Sequence, residues 1–211
     1  FEYDITPYIN KKGDNVIAVR VNNGDQPNSR WYSGCGIYRH VWLTKTHPVR
    51  ISQWGQYVSS SPDGTVRIRI DWENCEPISA AGTKRHAKTS KVSPKFRHTV
   101  YDASGKVVAT QTGSGREQTL KVLNPRLWDI GNGYLYRVKS ELIVGNKVVD
   151  TEMTTTAFRD ARFDAKKGFS LNGKSMKLNG VCEHHDFGCL GAALNEDALH
   201  RKLTILRGMG V

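Results

Sequence analysis

No apolar run in this 211-residue chain approaches the roughly 20 residues that a membrane-crossing helix needs, so no membrane span is expected. The longest apolar clusters, such as Val16-Ile17-Ala18-Val19, are strand-sized. Cysteine is scarce: Cys35, Cys75, Cys182 and Cys189 form no C-x-x-C pair, which excludes a zinc ribbon or a thioredoxin-like motif. Four cysteines are also too few to staple a chain of this length, so buried free thiols are expected. Acid is in short supply, with 20 Asp and Glu against 31 Lys and Arg, a net charge of +11. That excess divides as about +2, +6 and +3 over residues 1–48, 49–160 and 161–211, so it forms no basic tail. The most basic stretch, Lys84 to Arg97, contains a single aromatic, Phe96, and lacks the interleaved rings of a nucleic-acid surface. It reads as a solvated loop and strand face, and no nucleic-acid partner is expected. An initiator Met is missing before Phe1, and the expectation is a processed or excised piece.

What is present is strand-like alternation. Asn15–Val21 reads as one strand closed by the Asn22-Asn23-Gly24-Asp25 turn, and Ile37–Thr44 as a second. Between residues 49 and 160 seven short strands are predicted: 49–58, 65–72, 96–101, 106–110, 118–123, 134–144 and 147–155. Ser61-Pro62-Asp63-Gly64, Asp102-Ala103-Ser104-Gly105 and Gly145-Asn146 supply turns between them. In the second of these strands Val66, Ile68, Ile70 and Trp72 face inward. Seven strands at this spacing predict an immunoglobulin-like β-sandwich and a mainly β fold. Residues 76–91 have no periodicity and read as an insertion. Past residue 160 the pattern changes to a hairpin around Asn172-Gly173, then a helix capped by Asn195, with Glu196 and Asp197 in its first turn. Its apolar stripe holds Ala198, Leu199, Leu203, Ile205 and Leu206. One strand and one helix cannot bury such a stripe, so residues 161–211 read as the first β/α unit of a larger α/β domain.

Gly168 to Ser175 formally fits G-x-x-x-x-G-K-[ST], the phosphate-binding loop. That mechanism needs a helix opening at the Lys, whereas Phe169 and Leu171 alternate as in a strand and Asn172-Gly173 is hairpin chemistry, so nucleotide binding is rejected. Glu183-His184-His185-Asp186 gathers four ionisable groups in one loop. A sugar-binding edge at the carboxyl end of a barrel strand, a solvated polar turn and a metal site all remain open on the residues alone. Trp31-Tyr32 could stack a sugar or pack between domains.

Several stretches, in order along the whole chain, resemble glycoside hydrolase family 2. Gly13-Asp-Asn-Val-Ile-Ala-Val-Arg-Val21 and Ser29-Arg-Trp-Tyr-Ser-Gly-Cys-Gly-Ile-Tyr-Arg39 are similar to the end of its jelly-roll. Asn124-Pro-Arg-Leu-Trp128 and Tyr134-Leu-Tyr136 are similar to a passage of its immunoglobulin-like domain. Phe158-Arg159, Gly168 to Lys174 and Leu178-Asn-Gly-Val181 resemble the lead-in to its (β/α)8 catalytic barrel. The resemblance implies residues 1–48 as the C-terminal part of the jelly-roll, 49–160 as the sandwich and 161–211 as the first barrel segment. It further implies a retaining β-glycosidase of the β-galactosidase type, with a terminal β-linked sugar as substrate and no cofactor or metal. In that family both catalytic carboxylates are glutamates on later barrel strands, so no catalytic residue is expected here. His184 matches the histidine of the loop after the first barrel strand and implies a sugar contact, with Asp186 as a further substrate-binding candidate. The rivals are a non-catalytic carbohydrate-binding or adhesion module, and a β-glucuronidase or β-mannosidase. Exposed apolar residues and strand edges at either end would favour a homo-oligomer.

Overall fold

The computed structural model describes residues 2–22, 24, 36–37, 39–74, 94–184, 187–193 and 195–211. The basic 84–91 stretch, Trp31, Tyr32, Cys35, Cys75, His185 and Asp186 lie outside them. The chain forms two compact units, Thr44–Leu178 and Phe1–Leu43 with Asn179–Val211.

In the first unit all seven predicted strands form. They are β1 (Arg50–Ser60), β2 (Thr65–Glu73), β3 (Lys95–Tyr101), β4 (Val107–Gly113), β5 (Glu117–Lys121), β6 (Tyr136–Val144) and β7 (Lys147–Thr156). They pair antiparallel in two sheets, β1-β2-β5 and β4-β3-β6-β7. Alternation selects the inner face: Val66, Ile68 and Ile70 of β2 are buried, while Arg67 and Arg69 between them are exposed. Residues from both sheets meet in one cluster of Val66, Ile68, Leu120, Val100, Val138, Tyr136 and Phe158, so the sheets face each other as a sandwich. A second cluster, Val49, Ile51, Ile70, Phe96 and Leu142, continues the core. Deleting a buried aromatic such as Phe96 removes about 3–5 kcal/mol in comparable cores.

The turn before β2 is fixed by Gly64. Its φ is +88°, its carbonyl accepts the Val122 amide at 2.8 Å, and a Cβ there would lie 2.0 Å from the Val122 carbonyl oxygen. β1 carries a bulge between Ile51 and Gln56 that turns Trp54 outward at φ +52°. Side chains join β1 to β7: the Ile51 amide donates to Asp150 at 2.8 Å and Gln56 to Thr154 at 2.8 Å.

A small sheet follows, built from β8 (Ala161–Asp164), β9 (Gly168–Leu171) and β10 (Lys174–Ser175) in the order β10-β9-β8. Leu171 pairs with Lys174 across Asn172 and Gly173, whose φ values of 49° and 79° are those of a two-residue hairpin turn. The phosphate-loop match is therefore a hairpin.

Among its described residues the other unit holds two short 3-10 turns and one helix, α1 (Glu196–Gly208). Asn195 accepts the Ala198 amide at 2.9 Å, as the sequence predicts of its cap. The strands predicted at 15–21 and 37–44 do not form among the described residues, and Val16, Val41 and Trp42 are exposed. Period-2 alternation marks a face that could be buried, but a strand exists only when a neighbour accepts its hydrogen bonds. Cys182 and Cys189 are free but exposed, correcting the expectation of buried thiols: both lie in loop or short-turn segments that no packed layer covers.

Polar groups inside the sandwich set its acid sensitivity. His98 is fully buried, its Nδ1 2.7 Å from the Ser140 hydroxyl, and burial pushes its imidazole down from 6.5 to about 4. The unfolded chain then binds the proton more readily than the folded one. This contribution is complete above about pH 6.5 and is lost as pH falls towards 4, on the order of 3 kcal/mol in all. Glu141 behaves in the same sense at lower pH: the Arg97 hydrogen bond at 2.7 Å, aided by Lys139, holds its carboxyl below the usual range. We expect the His98 ring protons to titrate near pH 4 by NMR and the urea midpoint to fall between pH 7 and 5. A midpoint near 6.5 for that imidazole would show that it is hydrated in the folded protein.

Candidate functional site

The loop that sequence singles out lies before α1. His184 is described, exposed and in no regular element, whereas its proposed companion Asp186 lies outside the described residues. In an extended loop His184 and His185 would point to opposite sides, but His185 too lies outside the described residues. The flanks of His184 are held. The Glu183 carboxylate pairs with the Lys202 ammonium, and that ammonium also stands 4.4 Å from the centre of the Phe187 ring. Phe187 opens a tight turn in which its amide donates to the Gly191 carbonyl at 3.0 Å and Gly191 donates to Gly188 at 2.9 Å. In the same unit His40 Nε2 lies 3.8 Å from the Glu196 carboxylate. Among the described residues no three His, Cys, Asp or Glu side chains are grouped to hold a metal ion.

The sandwich unit contributes a cleft of about 590 Å³ that sequence reading did not find. Val58 and Ser60 of β1, Thr155 and Thr156 of β7, and Trp128, Leu135, Arg159 and Asp160 line it. Asn172, outside the lining, braces two of these residues, Trp128 and Asp160. Its backbone amide donates to the Asp160 carbonyl at 2.8 Å, its side-chain oxygen accepts the Asp160 amide at 3.0 Å, and its side-chain NH2 donates to the Trp128 carbonyl at 2.9 Å. The Arg159 guanidinium covers the Trp128 ring at 5.0 Å, and Asp160 is paired with Arg162 at 2.7 Å. Both charged groups of the lining thus have a partner, an aromatic ring for Arg159 and a guanidinium for Asp160. The one signal in the sequence was Trp128 within the Asn124–Trp128 passage.

Residues 51–159, just over half of the chain, match the model of glycosyl hydrolases family 2. The chain belongs to glycoside hydrolase family 2. All of it aligns with a β-galactosidase from Bacteroides ovatus at 42% identity, spanning 25% of that enzyme, and with a putative β-glucuronidase from Formosa agariphila at 34%, spanning 20%. In structure it is similar to a family 2 member from Bacteroides cellulosilyticus, with a TM-score of 0.81 and 36% identity over 98% of this chain and 28% of that one. A β-glucuronidase from Bacteroides uniformis gives a TM-score of 0.77 and 29% identity over 99% of this chain and 26% of that one. The family 2 chain described here is thus about a quarter of the length of these relatives, and its mainly β, sandwich-like fold is theirs.

Within this family 2 sandwich, Asn172→Asp isolates one bond of the cleft wall. The acceptor oxygen is kept, but the donor to Trp128 becomes a carboxylate facing a carbonyl. A loss of about 1–3 kcal/mol in urea unfolding is expected, with the strand content unchanged by circular dichroism. An unchanged urea midpoint would mean that water replaces the bond.

Proposed function

We propose that this chain is the non-catalytic scaffold of a retaining β-glycosidase of the β-galactosidase type, which hydrolyses terminal β-linked sugars. Residues 1–48 are read as the end of a jelly-roll, 49–160 as the immunoglobulin-like sandwich and 161–211 as the first segment of the catalytic barrel. The 42% identity over the whole chain to a relative named β-galactosidase carries this reading. Retaining hydrolysis needs two carboxyl groups about 5–5.5 Å apart, one of them kept protonated as the acid. Three of the described carboxylates are held by cations: Glu141 by Arg97, Asp63 by Lys121, Glu183 by Lys202. Glu152 is shifted upward by burial and by the Asp150 carboxylate, but Asp150 is occupied by the Ile51 and Thr151 amides. The 211-residue chain is therefore expected to give no turnover of a chromogenic β-galactoside above buffer. Sustained hydrolysis by the pure chain would overturn the scaffold reading.

His184, with Asp186 second, is assigned to the sugar site of the complete enzyme. A second reading, a β-glucuronidase, is favoured by the 34% identity to the relative of that putative name. Aryl β-galactoside and aryl β-glucuronide offered to the complete enzyme separate the two. An imidazole hydrogen bond to a sugar hydroxyl that tightens in the transition state is worth on the order of 10²-fold in rate. In the complete enzyme His184→Ala should lower kcat/KM about that far on the cleaved substrate, and His185→Ala much less. Equal losses, or none for His184→Ala, would place the sugar contact elsewhere.

A further inference from the structure

Lys202 lies in the middle of α1, on the face that carries Leu199 and Leu206 one turn to either side. Its side chain is only 29% exposed, so the stem runs along the helix while the ammonium reaches the loop. Among the described residues that ammonium meets groups of different chemistry: the Glu183 carboxylate and the face of the Phe187 ring, 4.4 Å from its centre. Glu183 and Phe187 bracket His184 in sequence, one immediately before it and the other three residues after it. Phe187 is itself fixed by the 187–191 turn. One cation on a helix therefore meets a residue on each side of His184.

We propose that Lys202 is a positioning residue for His184, acting through Glu183 and Phe187 to set the orientation in which the imidazole is presented to the sugar. The proposal rests on the sugar-site reading of His184. The ion pair with Glu183 is directional and charge-assisted, and the ring contact is tolerant of sliding, so the first fixes Glu183 and the second tethers Phe187. Freedom removed from His184 before substrate binds need not be removed during the reaction, and small errors in placing a reacting contact are costly in rate.

The test uses the complete enzyme and whichever aryl β-glycoside it cleaves. Lys202→Met, Lys202→Arg, His184→Ala and the His184→Ala/Lys202→Met double variant are compared. Lys202→Met should lower kcat about 10-fold with KM little changed, because the positioned contact acts mainly in the transition state. Lys202→Arg should restore most of the rate, since a guanidinium can both pair with a carboxylate and stack on a ring. The double variant should be no slower than His184→Ala alone, because the two residues act through one contact. Glu183→Gln, which leaves α1 untouched, should reproduce part of the Lys202→Met loss and covers the case in which that variant folds poorly. Full activity in Lys202→Met and Glu183→Gln beside an impaired His184→Ala overturns the clamp alone, as does a double variant whose losses multiply. Full activity in His184→Ala overturns the sugar-site reading and the role of the clamp with it.

Discussion

The Tyr136 hydroxyl accepts the Arg126 amide at 2.9 Å, and much of the sandwich unit is arranged around that bond. Tyr136 is the first residue of β6 and is buried, so its phenol must find a partner inside the protein. The partner is the backbone of the connection that crosses from the β5 sheet to the β6 sheet, the tyrosine-corner arrangement of immunoglobulin-like sandwiches. The ring meets Phe158 edge-on at 4.8 Å and Tyr134 at 5.1 Å, and the Arg126 guanidinium covers Tyr134 at 4.7 Å. With Arg126 pinned, Leu127 bridges to Phe158 and the Trp128 amide donates to the Phe158 carbonyl at 2.9 Å. Trp128 is thereby delivered to the cleft, and the Asn172 side-chain NH2 ties the small sheet to the Trp128 carbonyl. The cleft wall is a consequence of burying one hydroxyl.

The seven strands of the sandwich were legible because each has one dry face and one wet face, which writes the period of 2 directly into the chain. The Asn172-Gly173 hairpin and the Asn195 cap were legible for a different reason: their signals are local, and nothing distant has to cooperate. The same alternation at Val16–Val21 and Val41–Leu43 misled, because it records a face without saying whether a ladder partner is supplied. His98 was hidden for the opposite reason. Its place on an inward register of β3 is readable, but its burial beside Ser140 depends on β6, 42 residues away.

The site was legible in part. The ionisable run at 183–186 marked the loop, and a resemblance, not a pattern, singled out His184. Lys202 was passed over because the helix stripe was read through its apolar members only. A lysine three residues after Leu199 and four before Leu206 shares their face, and its aliphatic stem can lie there while its charge leaves the helix. A cation on an apolar stripe is thus a sequence-level sign that something acidic or aromatic is brought over the helix, and Glu183 and Phe187 are both.

The basic excess of the chain has a related structural use. Arg97 and Lys139 converge on Glu141, Lys121 on Asp63, Arg116 on both Asp71 and the Trp72 ring, and Lys202 on Glu183. Each contact sets a cation against a carboxylate or over an aromatic face. Where burial and a like charge do raise a carboxyl, at Glu152, the neighbouring Asp150 is bound to backbone amides and cannot swing to act as its partner. Among the described residues of the sandwich, the basic excess thus serves to hold carboxylates and aromatic rings in place.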